Sequence, residues 1–207
     1  VERDLRLAEL TGVHYHVSNV STKETVEVIK RAKLNGIKIT CDTSPPYFSL
    51  NELELSTYDT SFKLSPPLRN EEDRIAIQNA IFDDTIDIIT SDHKPMSNDT
   101  KILPFTSAST GASGIETLLP LTLNLLNKSD VSIMNILKKI TLNPSKLLKV
   151  EIPKIKSNEK ANFIIFDPNE QYLINKDSLQ TSPTPFHGRP VQGKNYMSMM
   201  NGEIVFD

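Results

Sequence analysis

Along residues 5–90 the spacing of apolar positions switches between helical and alternating patterns, which predicts helices alternating with strands. Leu5–Leu10 is helical in pattern, and Thr11-Gly12 closes it. Val13–Val20 alternates and reads as a strand. Ser21-Thr-Lys-Glu24 reads as a capping box, a hydroxyl followed three residues later by Glu. The helix it opens runs to Leu34, with Val26, Ile29 and Ala32/Lys33 marking its faces, and Asn35-Gly36 stops it. Ile37–Asp42 is the next strand, ended by Pro45-Pro46. Asn51–Tyr58 reads as a short helix or a loop, and Phe62–Leu64 as a brief strand broken by Pro66-Pro67. Arg69–Phe82 is an amphipathic helix with Ile75, Ile77, Ala80 and Ile81 inward. Ile86–Thr90 reads as a continuous apolar strand of the type buried on both faces.

Strands alternating with helices of this length imply β/α units on a parallel sheet. Lys94–Ser113 has no period and is long for a connection, which points to a functional loop. Ile115–Leu126 and Val131–Ile140 read as apolar helices, and Asn143-Pro144 opens a third. After Val150 the texture changes. Ala161–Asp167 is a strand ended by Asp-Pro, and Met197–Met200 with Glu203–Phe206 forms a hairpin around Asn201-Gly202.

Composition narrows the classes. A net charge of −3 with both signs mixed gives no nucleic-acid footprint. The single cysteine, Cys41, excludes an internal disulfide and fits a reducing cytoplasm. No apolar run reaches the ~18 residues of a membrane helix. The chain starts at Val1 and shows no signal-peptide pattern, so none is expected. Glu2–Leu10 reads as the end of a helix already under way, so the expectation is that a preceding half is missing.

The strand Ile86–Thr90 runs into Asp92-His93, with Pro95 two residues later. A carboxylate beside an imidazole at a strand end can bind a metal or move a proton. Asp92 is therefore the first catalytic candidate, and His93 reads equally as packing. His14 and His16 lie on one strand face, a metal-type pair, although a strand histidine is more often a satisfied core residue. Asn19 is at an odd offset from His16, so it is expected on the opposite face. Asp42 reads first as a turn cap. Lys63, Arg69 and Lys94 could hold an anion, but each reads first as a solvated charge. Gly111 and Gly114 could offer backbone N–H groups to a ligand. Cys41 lies in an apolar strand with no base beside it, and His187 reads as a linker residue.

With these segments in order, the chain resembles the C-terminal half of a class I dihydroorotase of the amidohydrolase superfamily. Val17-Ser-Asn-Val-Ser-Thr-Lys-Glu24 is similar to the family's fifth-strand segment, and Cys41–Leu50 to the sixth. Phe62-Lys-Leu-Ser-Pro-Pro-Leu-Arg69 is similar to the seventh, and Asp87–Pro95 to the eighth. Pro104–Gly111, Gly114–Pro120, Ala161–Pro168, Thr184–Gly188 and Met200–Val205 extend the likeness nearly end to end.

The resemblance implies an α/β fold. It would be the C-terminal half of a (β/α)8 TIM-type barrel (residues 1–150) plus part of a small β-sandwich domain (residues 151–207). A whole barrel needs ~250 residues. The resemblance also implies zinc as cofactor and dihydroorotate and N-carbamoyl-aspartate as ligands. A homodimer or a complex with aspartate transcarbamoylase would be the assembly. The family's first-strand His-x-His pair would lie in the missing half, so His14 and His16 are not that pair.

Carried over by position, two zinc histidines correspond to Asn19 and Pro46, and two substrate-binding residues to Ser65 and Met96. Asp92 keeps the position of the acid–base and metal ligand, and His93 and Gly111 keep substrate-binding positions. Three functions follow: a dihydroorotase with a reduced, one-metal site; a silent homologue that scaffolds aspartate transcarbamoylase; or an amidohydrolase for another cyclic amide or ureide. The 207-residue piece alone is expected to be inactive.

Overall fold

The computed structural model describes residues 1–128, 130–152, 154–175 and 183–207. The chain divides into two compact units, one of residues 1–118 with 175–187 and the other of residues 119–174 with 188–207.

The first unit alternates helix and strand. It runs α1 (Glu2–Thr11), β1 (Tyr15–Val17), α2 (Lys23–Leu34), β2 (Ile39–Thr43), α3 (Pro45–Ser49), α4 (Glu71–Phe82), β3 (Ile88–Ile89) and α5 (Asn98–Lys101). The strands form a parallel sheet in the order β1-β2-β3, with Val17 opposite Cys41 and Thr43 opposite Ile89. Ile29 of α2, Ile77 and Ile81 of α4, and Cys41, Ile86 and Ile89 are fully buried and make the core. Asp87 interrupts the apolar run Ile86–Ile89. Lys33 Nζ ion-pairs with it at 2.7 Å, and the Cys41 N–H donates to its Oδ2 at 2.9 Å.

Several elements depart from the sequence reading. The N-cap of α2 is Thr22 rather than Ser21, its hydroxyl accepting from the Thr25 N–H. Ser21 Oγ instead accepts from Arg69 Nε at 3.4 Å. Ile75 faces outward at 43 % exposure, and its expected inward place is taken by Gln78, whose amide donates to the Phe48 carbonyl at 2.6 Å.

The brief strand expected at Phe62–Leu64 is absent among the described residues. Thr60–Phe62 is a 3-10 turn capped by Asp59, whose carboxylate accepts from the Ser61 N–H at 2.8 Å. Pro66 and Pro67 then supply no N–H to a ladder. The segment is tied down instead by Lys101 Nζ, which donates to the Thr60 carbonyl at 2.8 Å, and by the Gly111 N–H, which donates to Lys63 O at 2.9 Å.

α6 (Ile115–Leu123) ends three residues before the expected Leu126 and passes into a 3-10 segment, Asn124–Lys128. In the second unit α7 (Ile133–Ile140) and α8 (Leu142–Leu148) precede an antiparallel sheet of β4 (Phe163–Leu173), β5 (Pro190–Met200) and β6 (Glu203–Phe206). The hairpin turn is Asn201-Gly202, both at positive φ. Asp167-Pro168 does not end β4. Asp167 accepts from the Asn169 N–H at 2.8 Å, the register slips between Asp167 and Gln171, and the strand resumes. Leu121, Leu123, Leu125, Ile136 and Val191 are buried here, with Leu123 lying against Gly193.

Candidate functional site

The C-terminal ends of the three parallel strands carry Asn19, Asp42 and Asp92, and hydrogen bonds join them. Sites of β/α proteins are built at this end of the sheet. Asp42 is the inner member, 4 % exposed. Its Oδ1 accepts from the Asn19 N–H at 2.8 Å and from Thr90 Oγ1 at 3.4 Å, and its Oδ2 lies 2.8 Å from His16 Nε2. It therefore staples β1 to β3 rather than capping its own turn.

His16 Nδ1 is 2.8 Å from Thr40 Oγ1, and His14 Nε2 is 3.0 Å from the same oxygen. One placement of protons satisfies the whole chain. The His14 Nε2–H donates to Thr40, whose hydroxyl donates to His16 Nδ1, and the His16 Nε2–H donates to Asp42. Both ring nitrogens of His16 are thus used within the sheet.

Asn19 and Asp92 both sit in the left-handed region, at φ 55 and φ 44. Asn and Asp tolerate that region better than other side-chain-bearing residues. Asn19 lies beyond the end of β1, so strand alternation no longer sets its direction. Its amide turns toward Asp92 rather than to the opposite face, and Nδ2 donates to Asp92 Oδ1 at 3.2 Å.

Lys94 Nζ reaches the same Oδ1 at 2.8 Å, so this lysine is paired rather than merely solvated. The Asp92 side chain is 11 % exposed, and no hydrogen bond to its Oδ2 occurs among the described residues.

His93 is a structural acceptor. The Gly114 and Ile115 N–H groups at the start of α6 both donate to its Nδ1, at 3.2 and 3.3 Å. The ring proton is then on Nε2. Neither loop glycine keeps a free N–H, since Gly114 gives its own to His93 and Gly111 to Lys63. Gly111, at φ 126, lets the loop close on Lys94 and Met96, whose nearest atoms would lie 2.7 and 3.2 Å from an added Cβ.

Ser65 is exposed and Pro46 is buried in α3. Beside Pro46, the Tyr47 hydroxyl donates to the Pro66 carbonyl at 2.9 Å. Burial, and secondarily the Asp92 charge, pushes its phenol above the ordinary range. Burial, with Asp87 adding to it, pushes the Cys41 thiol up to about 12 and leaves it unreactive. His187 is exposed.

The donor set does not fit zinc. Asn19 turns N–H toward Asp92, Pro46 has no donor, and Asp92 Oδ1 is held by an ammonium. Among the described residues no three His, Cys, Asp or Glu side chains gather at a spacing that could hold a metal ion. Thr40 and Thr90 are the members of the network that sequence reasoning had not assigned, and Lys94 was weighed only as a holder of an anionic ligand or a solvated charge. The Thr-Ser-Asp-His-Lys run gave Lys94 away only as a nearby charge.

Residues 1–205 match the sequence profile of the amidohydrolase family. The dihydroorotase of Anaplasma phagocytophilum is 37 % identical over 209 residues, covering 100 % of this chain and 47 % of that protein. The dihydroorotase of Acetivibrio thermocellus is 38 % identical, covering 99 % and 49 %. The chain spans about half the length of the curated relatives it matches.

Among solved structures, the L-hydantoinase (dihydropyrimidinase) of Arthrobacter aurescens superimposes with a TM-score of 0.91 at 26 % identity, covering 100 % of this chain and 48 % of that one. An inactive dihydroorotase-like domain of a Chaetomium thermophilum CAD-like multifunctional protein gives 0.75 at 19 %, covering 98 % and 54 %. The α/β fold is thus the C-terminal half of a TIM-type barrel with part of a small β-sandwich. No described helix is long and apolar enough to cross a membrane.

Proposed function

Because the chain belongs to the amidohydrolase family, we propose that the complete protein is a dihydroorotase-type cyclic-amide hydrolase of de novo pyrimidine biosynthesis. It would interconvert dihydroorotate and N-carbamoyl-aspartate in the cytoplasm. Residues 1–150 would be its barrel share and 151–207 its sandwich share. The observation that carries the reading is the posture of Asp92, which stands at the end of the last strand of the parallel sheet with Oδ1 fixed and Oδ2 clear.

A carboxylate held that way can take a proton from an attacking water at Oδ2 and return it to the leaving ring nitrogen. Lys94 and Asn19 orient it. His93, fastened at Nδ1, has only its Nε2–H to offer a ligand, and Gly111 only its carbonyl. Ser65 and Met96 would line the ligand at positions changed from the family pattern. A hydrolase of this type that uses zinc would hold it through residues outside this chain.

A second reading is favoured by a specific observation. The Lys94–Asp92 ion pair, with Asn19 and Pro46 at lost histidine positions, suits a non-catalytic homologue that scaffolds aspartate transcarbamoylase. A third, hydrolysis of another cyclic amide or ureide, draws on Ser65 and Met96.

Dihydroorotate turnover and zinc content of the full-length protein separate them. Turnover abolished by Asp92→Ala supports the hydrolase and sinks the scaffold. No turnover, with aspartate transcarbamoylase co-purifying, sinks the hydrolase. Turnover of hydantoin or dihydrouracil but not dihydroorotate selects the third.

A further inference from the structure

Asp92 is the most buried carboxylate of the strand-end site after Asp42, and its negative charge needs a partner there. Asp42 has an imidazole N–H, a backbone N–H and a hydroxyl. Asp92 has an ammonium: Lys94 Nζ at 2.8 Å from Oδ1, with the Asn19 amide on the same oxygen at 3.2 Å.

We propose that Lys94 Nζ is the resident cation of this site, standing at Asp92 Oδ1 where the resemblance places zinc.

Three features of the geometry support it. A zinc ion bound to Oδ1 would lie about 2.0–2.2 Å from that oxygen. Oδ1 already accepts from the ammonium at 2.8 Å and from the Asn19 amide at 3.2 Å, so a zinc ion there would have to displace a partner and would be repelled by the lysine charge. The side chain that shares Oδ1 is an amide turning its N–H to the carboxylate, an end that has no lone pair to give a metal. The lysine is also held in register from its own backbone, because the Lys94 N–H donates to the Ala112 carbonyl at 3.0 Å. Gly111, where an added Cβ would meet Lys94 O at 2.7 Å, allows that close approach. The loss of imidazoles at Asn19 and Pro46 and the gain of an amine at Lys94 are then one change: the ion is replaced by a covalently attached charge.

The inference rests on assigning Asp92 to the family's acid position, and its test does not use turnover. Full-length wild type, Lys94→Met, Lys94→Arg, Asp92→Asn and the Lys94→Met/Asp92→Asn double variant are titrated with zinc, read by thermal melting and by metal content. Wild type and Lys94→Arg should show no zinc-dependent rise in Tm that Asp92→Asn removes. Lys94→Met should melt lower than wild type with or without zinc, and Asp92→Asn in that background, which removes the stranded charge, should recover part of the loss. The Lys94 side chain is about half exposed, so Lys94→Met should fold; if it does not, Lys94→Gln takes its place. The proposal is overturned if Asp92→Asn strips zinc from the wild-type protein, or if Lys94→Met melts as wild type does. A hydrolase that turns over dihydroorotate without zinc at Asp92 leaves it standing, and a silent protein with zinc at Asp92 does not.

Discussion

Gly114→Ala places one methyl group at the tightest backbone approach in the site. The added Cβ would lie 2.1 Å from the Ser91 carbonyl oxygen and 3.2 Å from its carbon. Ordinary non-bonded contact is about 3.5 Å, so the start of α6 and the Ser91–His93 corner must part by about 1.4 Å. The φ of Gly114 is not positive, so the effect is contact alone and not backbone conformation. Parting them breaks the two N–H bonds that Gly114 and Ile115 donate to His93. Overpacking of about 1–3 kcal/mol and the two bonds at about 0.5–1.5 kcal/mol each give a destabilisation of about 2–6 kcal/mol. That is a large share of the ~5–15 kcal/mol that holds a domain folded. Urea unfolding of full-length wild type and variant, compared at equal m, measures it. Gly36→Ala is the control: its φ is +76 but nothing lies within 4 Å, so about 1–2 kcal/mol of left-handed strain is expected. A Gly114→Ala loss below about 0.5 kcal/mol would refute the claim that this approach fixes the corner carrying Asp92.

Asp42→Ala should destabilise by about 1–3 kcal/mol, because it strands the partly buried Asn19 N–H and His16 ring; an unchanged urea midpoint would show that the strand ends are held by other means. Cys41 should resist Ellman's reagent at pH 8 in the native protein and react at once in urea. Its thiol rises from 9.0 to about 12 on folding, so its contribution to stability is whole below pH 9.0 and fades as pH climbs toward 12; native labelling at the unfolded rate would contradict the burial. The 207-residue chain expressed alone should show no dihydroorotate turnover and should self-associate in gel filtration, because among the described residues β1 and β3 each pair only with β2 and leave open edges. Turnover by this piece alone would overturn the half-barrel assignment.

What the sequence made legible follows from which rules are local. Gly12 and Gly36 end α1 and α2 at left-handed positions, and Asn201-Gly202 turns the hairpin, because each of these needs only its own φ. Thr22 displaced Ser21 as the cap since neighbouring hydroxyls are equivalent on paper and the backbone chooses between them. Phe62–Leu64 looked like a strand by composition. Its Phe62 and Lys63 N–H groups close local turns onto the Asp59 and Thr60 carbonyls, and its Lys63 carbonyl accepts from Gly111, a partner set by the tertiary fold.

The same distinction explains the site. Strand order brought Asp92 to the sheet end and made it a candidate from sequence. Asn19 was assigned to the wrong face because the period of two was carried past Val17, where β1 stops. The pairing of Asp92 with Lys94 was hidden for a related reason. Residues two apart share a face on a strand, but Pro95 follows and no strand continues there. Only a left-handed corner at Asp92 swings the carboxylate and the ammonium onto one another, and a φ of 44 at a non-glycine residue is a tertiary outcome. It is maintained by His93, whose ring accepts from the Gly114 and Ile115 N–H groups and fastens the corner to the start of α6. The charge that decides what Asp92 can bind is thus placed by a histidine that the sequence presented as a ligand candidate. His93 therefore acts on Asp92 by holding backbone, and replacing it should disturb the Lys94 contact before it disturbs any ligand.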